Sequence, residues 1–183
     1  MPNADSAGLS ADVIVVGAGA AGGSAAFHLA ARGRRVLILE RDLLPRPKAC
    51  GGGMAASVQR WFPFDLSPAV DQVIRQVRFS WCLDDPVTAV LPGDSPFWIV
   101  RRSQLDQFLV QQAVAAGAEL EDGAEVQTIC RDGDGWCVQA GQHTYRSRAL
   151  VLADGSSSAF ASTLGLGPGK PRYAAATAGE VEA

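Results

Sequence analysis

The sequence predicts an α/β fold: a mostly parallel sheet opened by a βαβ unit, with antiparallel strands in the middle of the chain. Three observations carry this expectation. Val13 to Val16 form an apolar, β-branched run without alternation, as in a central strand buried on both faces. A glycine-rich turn, Gly17 to Gly19, leads from that run into small residues at helical spacing. Ala149-Leu150-Val151-Leu152-Ala153 repeats the unbroken apolar pattern late in the chain.

Each element follows in order. A strand is expected over 12–16, a helix over 20–31, a turn at Gly33 and a second strand over 35–39. Gly22, Ala26, Leu29 and Ala30 share one helix face, and His28 falls on the exposed side. Residues 41–53 read as a loop holding Pro45, Pro47 and Gly51-Gly52-Gly53, followed by a short helix over 54–61. Residues 73–81 alternate imperfectly and read as one strand, with further strands near 87–91 and 97–100. A second helix is expected over 103–116. Ser103 would cap it, Asp106 would sit in its first turn, and Leu105, Phe108, Leu109, Ala113 and Ala116 would form its apolar face. Gly117 ends it. Strands follow near 118–121, 124–131, 135–140, 143–146 and 149–153, the turn Asp132-Gly133-Asp134-Gly135 joining two of them as a hairpin.

Composition narrows the function classes. The chain has 183 residues, 48% hydrophobic and 19% charged, with a net charge of −3. That is a globular composition without the basic footprint of a nucleic-acid binder. Cys50, Cys82, Cys130 and Cys137 show no C-x-x-C pair, and no third ligand joins the histidines His28 and His143, so no metal site is expected. Residues 1–11 carry no Lys or Arg, which argues against a secretory leader and for reduced thiols in the cytoplasm. Residues 13–31 approach the length of a membrane span. Their four glycines and His28 fit a strand, turn and helix better, so no transmembrane segment is expected, although contact with a membrane surface remains open.

The chemistry begins at Gly17-Ala18-Gly19-Ala20-Ala21-Gly22. Placed between strand and helix, this is the dinucleotide-binding fingerprint. Gly17 permits the tight turn, Gly19 lets backbone approach a pyrophosphate, and Gly22 lets helix and strand pack. Ala20 and Ala21 would offer first-turn amides to phosphate. Glu40, at the end of the second strand, would accept hydrogen bonds from ribose hydroxyls and disfavour a 2′-phosphate, with Arg41 beside it. Fold and fingerprint together read as a Rossmann-like domain; they do not separate FAD from NAD.

Two later segments make that distinction. Arg102-Ser103-Gln104-Leu105-Asp106 opens the second helix, and Leu152-Ala153-Asp154-Gly155-Ser156 ends the last apolar strand. With the fingerprint they resemble the FAD-binding pattern of the aromatic hydroxylase and geranylgeranyl reductase flavoproteins. The resemblance implies that Arg102 contacts the flavin cofactor and that Asp154 and Gly155 approach its phosphate and ribityl region. The loop Pro45-Arg46-Pro47-Lys48-Ala49-Cys50-Gly51-Gly52-Gly53 resembles the corresponding segment of geranylgeranyl reductase-type flavoproteins, where it lies beside the isoalloxazine and the prenyl cavity. It implies cofactor contact at Cys50, Gly51, Gly52 and Gly53, and a catalytic part for Cys50 in proton delivery; an inert buried thiol is the alternative.

The resemblance implies a Rossmann-like FAD-binding domain with a β-meander and part of an antiparallel substrate-binding sheet. The FAD-binding segments would be about 10–60 and 101–170, and the substrate-sheet segment about 64–100, in one incomplete unit. Trp81 and Trp98 would lie in that sheet. The implied activity is hydride transfer from NAD(P)H through flavin to an isoprenoid C=C bond. An aromatic monooxygenase, a binding module without turnover and an NAD dehydrogenase are the competing readings. The family is about twice this long, and its third motif, a Gly-Asp-Ala-Ala-Gly-type turn, has no match here, so a truncated chain or a second polypeptide is expected. Residues 172–177 read as the opening of one more strand.

Overall fold

The computed structural model describes residues 10–94 and 96–166, so the strand expected over 172–177 lies outside the described residues. β1 (Ser10–Val16) leads into α1 (Ala20–Ala30), and β2 (Val36–Glu40) returns beside it in parallel, Val16 opposite Leu39. Then come β3 (Gly53–Ala55), a 3₁₀ segment (Ala56–Trp61), β4 (Gln72–Ile74), β5 (Gln76–Trp81), β6 (Asp84–Val90) and β7 (Phe97–Ile99). α2 (Arg102–Ala115), β8 (Glu119–Asp122), β9 (Val126–Asp132), β10 (Gly135–Ala140), β11 (His143–Leu152) and α3 (Ala159–Thr163) complete the order.

The chain divides into two compact units. Among the described residues, one holds 10–46 and 106–166; the other holds Pro47–Leu105. The first is built on a six-stranded sheet in the order β8-β2-β1-β11-β10-β9. β8, β2, β1 and β11 run parallel, and β10 and β9 extend the sheet antiparallel. Central strands covered on both faces must be apolar throughout, and Ile14, Val15 and Ile38 are fully buried. α1 and α2 meet closely because Gly23 has no side chain: a Cβ there would stand 3.1 Å from Leu109 Cβ. This is a Rossmann-like fold.

The second unit contains a three-stranded sheet with β7 between β3 and β4, and a separate β5–β6 ribbon. Trp98, central in β7, is buried opposite Met54 and Val73. In the ribbon, Val77 and Phe79 face Ala89 and Val87. Phe79 and Trp81 are 60% and 80% exposed, so the ribbon carries an uncovered apolar side.

Several local expectations are corrected. Residues 73–81 are two strands, because the chain changes partner at Arg75: β4 pairs with β7, β5 with β6, and the Arg75 carbonyl accepts from Leu91 N at 2.8 Å. Residues 54–61 are not a helix throughout. Met54 and Ala55 pair with Trp98 and Phe97, and only 56–61 coil, as 3₁₀. The strands expected at 143–146 and 149–153 are one strand, β11, whose backbone passes from β10 to β1 across the polar Ser147-Arg148. Ser103 does not cap α2. The helix begins at Arg102, and the Arg101 carbonyl accepts from Gln104 N and Leu105 N. In α1, Phe27 takes a buried position, Leu29 is half-buried, and His28 packs its ring edge-on at 5.2 Å from Phe27. Among the described residues no helix is long and apolar enough to cross a membrane.

Candidate functional site at the carboxyl ends of the parallel strands

Three adjacent parallel strands end level with one another. Val16 stands opposite both Leu39 and Leu152, so Gly17, Glu40 and Ala153 follow at one edge of the sheet. Backbone bonds hold that edge: Gly17 N donates to Leu39 O, and Ala153 N to Val16 O, each at 2.8 Å. Open α/β sheets bind ligands at this edge.

The glycines are required by the geometry. Gly17 has φ +98°, and a Cβ on it would lie 2.5 Å from Ala153 O. A Cβ on Gly22 would lie 1.8 Å from Gly17 O. Both contacts are with backbone, which has no soft degree of freedom to absorb them. Gly19 is the N-cap of α1, offers no side-chain cap and has no acidic residue following in the first turn. The first-turn amides of Gly19-Ala20-Ala21-Gly22 therefore form a bare positive helix end suited to a diphosphate.

Glu40 is only 4% exposed. Its Oε2 accepts from Ala18 N at 2.7 Å and from Arg46 Nη2 at 3.2 Å, and its Oε1 accepts from Asp42 N at 3.1 Å. An ionised carboxylate has about four acceptor positions, so one stays available to a hydroxyl donor. Ala18 N ties this carboxylate to the glycine turn itself. The residues therefore fit the adenosine–diphosphate portion of a dinucleotide: a carboxylate for ribose beside a bare helix end for phosphate.

Sequence reasoning left Arg46 without a part of its own. The structure buries it to 13% exposure between three carboxylates. Its Nη1 lies 3.7 Å from Asp106, its Nε 3.7 Å from Asp42, and the Nε has no hydrogen-bond partner. Asp106, expected as a first-turn helix charge, is fully buried and paired with Arg46. A charged residue between two loop prolines has no periodicity to reveal its burial, so only the tertiary pairing identifies it.

The other candidate residues fall as follows. Arg41 is 69% exposed and pairs with Asp42 at 3.5 Å. Asp154 is half-buried directly after Ala153, and Gly155 has φ +94°. Cys50, Gly51, Gly52, Gly53 and Arg102 belong to the second unit. Cys50 is exposed, and its sulfur accepts from Gly52 N at 3.4 Å, so the buried-thiol alternative fails. Gly52 and Gly53 are accounted for by packing: a Cβ would stand 2.4 Å from Val100 O and 2.9 Å from the Phe97 ring, respectively. Gly51 meets nothing within 4 Å. No group of three or more His, Cys, Asp or Glu able to hold a metal occurs among the described residues.

Residues 12–83 match the family model described as FAD dependent oxidoreductase. That match takes in the glycine turn, Glu40 and the Pro45 to Gly53 loop. It is 33% identical over 162 residues to the probable electron transfer flavoprotein-quinone oxidoreductase YgcN of Escherichia coli (strain K12), covering 85% of this chain and 38% of that protein. Among solved structures it is similar to the flavin-dependent brominase Bmp2, at 27% identity and TM-score 0.69, covering 86% of this chain and 41% of that one. A geranylgeranyl bacteriochlorophyll reductase-like protein from Thermoplasma acidophilum shares the fold at 22% identity and TM-score 0.69, covering 80% of this chain and 40% of that one. The chain thus spans about two fifths of the length of the curated relatives it matches. The glycine turn and Glu40, both within the matched residues, occupy the strand ends described above.

Proposed function

We propose that this chain is the FAD-binding portion of an oxidoreductase whose flavin passes electrons to a hydrophobic isoprenoid-class acceptor. The observation that carries the FAD part is the hydrogen bond from Ala18 N to the buried Glu40 carboxylate, 2.7 Å long, beside the uncapped start of α1. Gly17, Gly19, Ala20, Ala21 and Gly22 hold the diphosphate, Glu40 holds the ribose, and Asp154 and Gly155 stand at the neighbouring strand end for the ribityl chain. Arg41 borders the adenosine side, and Arg102 serves as a phosphate-directed cation. Bound FAD supplies a two-electron carrier; the residues named here bind and orient it.

The acceptor is proposed as an isoprenoid C=C bond, with reduced nicotinamide as donor. This rests on the Pro45 to Gly53 loop, in which Cys50 is an exposed thiol able to deliver a proton and Gly51 leaves room for a flat ring. A quinone acceptor is the second reading, favoured by the likeness to YgcN. Completion of the substrate site is assigned to sequence or a partner beyond this chain, since its relatives are more than twice as long.

The experiment is FAD titration followed by anaerobic reduction. Binding of FAD, weakened in Glu40→Ala, supports the cofactor reading; no binding to the folded chain overturns it. Reoxidation of the loaded, reduced protein by a geranylgeranyl substrate supports the alkene reading. Reoxidation by a quinone alone selects the second.

A further inference from the structure

Cys130 and Cys137 lie on the β9–β10 hairpin, far from the strand ends that form the nucleotide site. β9 is the edge of the six-stranded sheet, and the two cysteines stand directly opposite one another in register. Cys137 is also opposite Arg146 of β11, and Arg146 is opposite Ser10, the first residue of β1. The pair therefore sits toward the end of the sheet opposite Gly17.

The hairpin turns through Gly133-Asp134, with Asp132 and Gly135 paired. The pair flanking a two-residue turn exchanges backbone hydrogen bonds, and the pattern repeats every second pair. Cys130 and Cys137 thus occupy such a position, where Cα atoms lie about 5.5 Å apart. Disulfides span Cα separations of about 4.4–6.8 Å and Cβ separations of about 3.5–4.5 Å, so closure draws together two side chains whose Cβ atoms start about 5.5 Å apart. The sulfurs are on one face: Cys130 Sγ points to Cys137 O at 3.8 Å. Trp136 and buried Val138 project from the other face, Trp136 under the Arg131 guanidinium at 4.0 Å. Cys130 is exposed and Cys137 half-buried, so a reagent reaches one sulfur and the second waits beside it. Burial and the neighbouring Cys130 thiol hold the Cys137 thiol above the usual range, and Cys130 is the sulfur that solvent exposes to a reagent.

We propose that Cys130 and Cys137 are a reversible dithiol–disulfide modification site, oxidised by low-molecular-weight disulfides. The Cys130 thiolate attacks a sulfur of the small disulfide, forming a mixed disulfide and releasing one small thiolate. Cys137 then loses its proton and attacks Cys130 Sγ, closing the protein disulfide and releasing the second small thiolate. The protein loses two electrons and two protons, and the small disulfide becomes two thiols. The link closes a short loop at a sheet edge and leaves the glycine turn untouched.

The test is incubation of the reduced chain with oxidised glutathione, acid quench, alkylation and peptide mass mapping. The expected product is a linked pair of Cys130 and Cys137 peptides two mass units lighter than their reduced, unalkylated forms, reversed by dithiothreitol, with the FAD affinity of the chain unchanged within twofold. Cys137→Ser should trap a glutathione adduct on Cys130, whereas Cys130→Ser should leave Cys137 largely unmodified over the same time. Stable, separate glutathione adducts on both cysteines of the unsubstituted chain would overturn the proposal. So would a link to Cys50 or Cys82, or unmodified Cys130 and Cys137 once Cys50 has reacted.

Discussion

Arg46 Nη2 donates to Glu40 Oε2 at 3.2 Å, in a place where both side chains are withdrawn from water. In the proposed FAD site Glu40 has one acceptor position left for ribose, the others being held by Ala18 N, Asp42 N and Arg46. Glu40→Ala should weaken FAD binding by about 1–3 kcal/mol, the scale of a lost charge-assisted hydrogen bond. Isothermal titration with FAD on both proteins checks it; equal affinities would remove Glu40 from the ribose site.

Arg46→Ala should be among the most destabilising substitutions in the first unit. It leaves Glu40 and Asp106 as buried carboxylates without their shared cation. Removing one partner of a buried pair costs about 3–5 kcal/mol. The urea midpoint should fall accordingly. Arg46→Lys should recover part of the loss, since a point charge replaces the planar fork.

The glycines should separate into two groups. Gly22→Ala forces a Cβ to 1.8 Å from a backbone oxygen and should exceed the ~1–3 kcal/mol of an ordinary overpacking change. Gly51→Ala meets open space and should leave stability within about 0.5 kcal/mol. Thermal melts of the two variants decide it. Gly19→Val should abolish cofactor binding by filling the phosphate approach, whereas Gly23→Ala should act on the α1–α2 contact with Leu109.

Tyr145 gives a pH dependence with a definite sign. Burial, aided by its hydrogen bond to Glu121, pushes the phenol up to about 12. The native state then keeps a proton that the unfolded chain loses near pH 10. Its contribution is fully present below pH 10 and is lost as pH rises toward 12, for a total of about 2–3 kcal/mol. Tyr145→Phe should flatten the stability curve over that window. An unchanged slope would show that Tyr145 ionises normally.

The first βαβ unit was legible because its signals are local. An unbroken apolar run, a turn spacing that only glycine satisfies and a small-residue helix face each follow from neighbouring residues. β1, α1 and β2 lie within two residues of their expected ends. The hairpin at Gly133-Asp134 was legible for the same reason. Where a strand changes partners, as at Arg75 or through Ser147-Arg148, composition misleads, because backbone pairing continues or stops regardless of side-chain polarity.

The sequence by itself determined the glycine turn and the acid at the end of β2. Only the tertiary structure decided that Glu40 is buried and that Arg46 and Asp106 are bound up with it. Turn geometry is set by the φ and ψ a residue can adopt, which its own chemistry reveals. Burial of a charge depends on which distant segments meet, and that is fixed only when the sheet assembles.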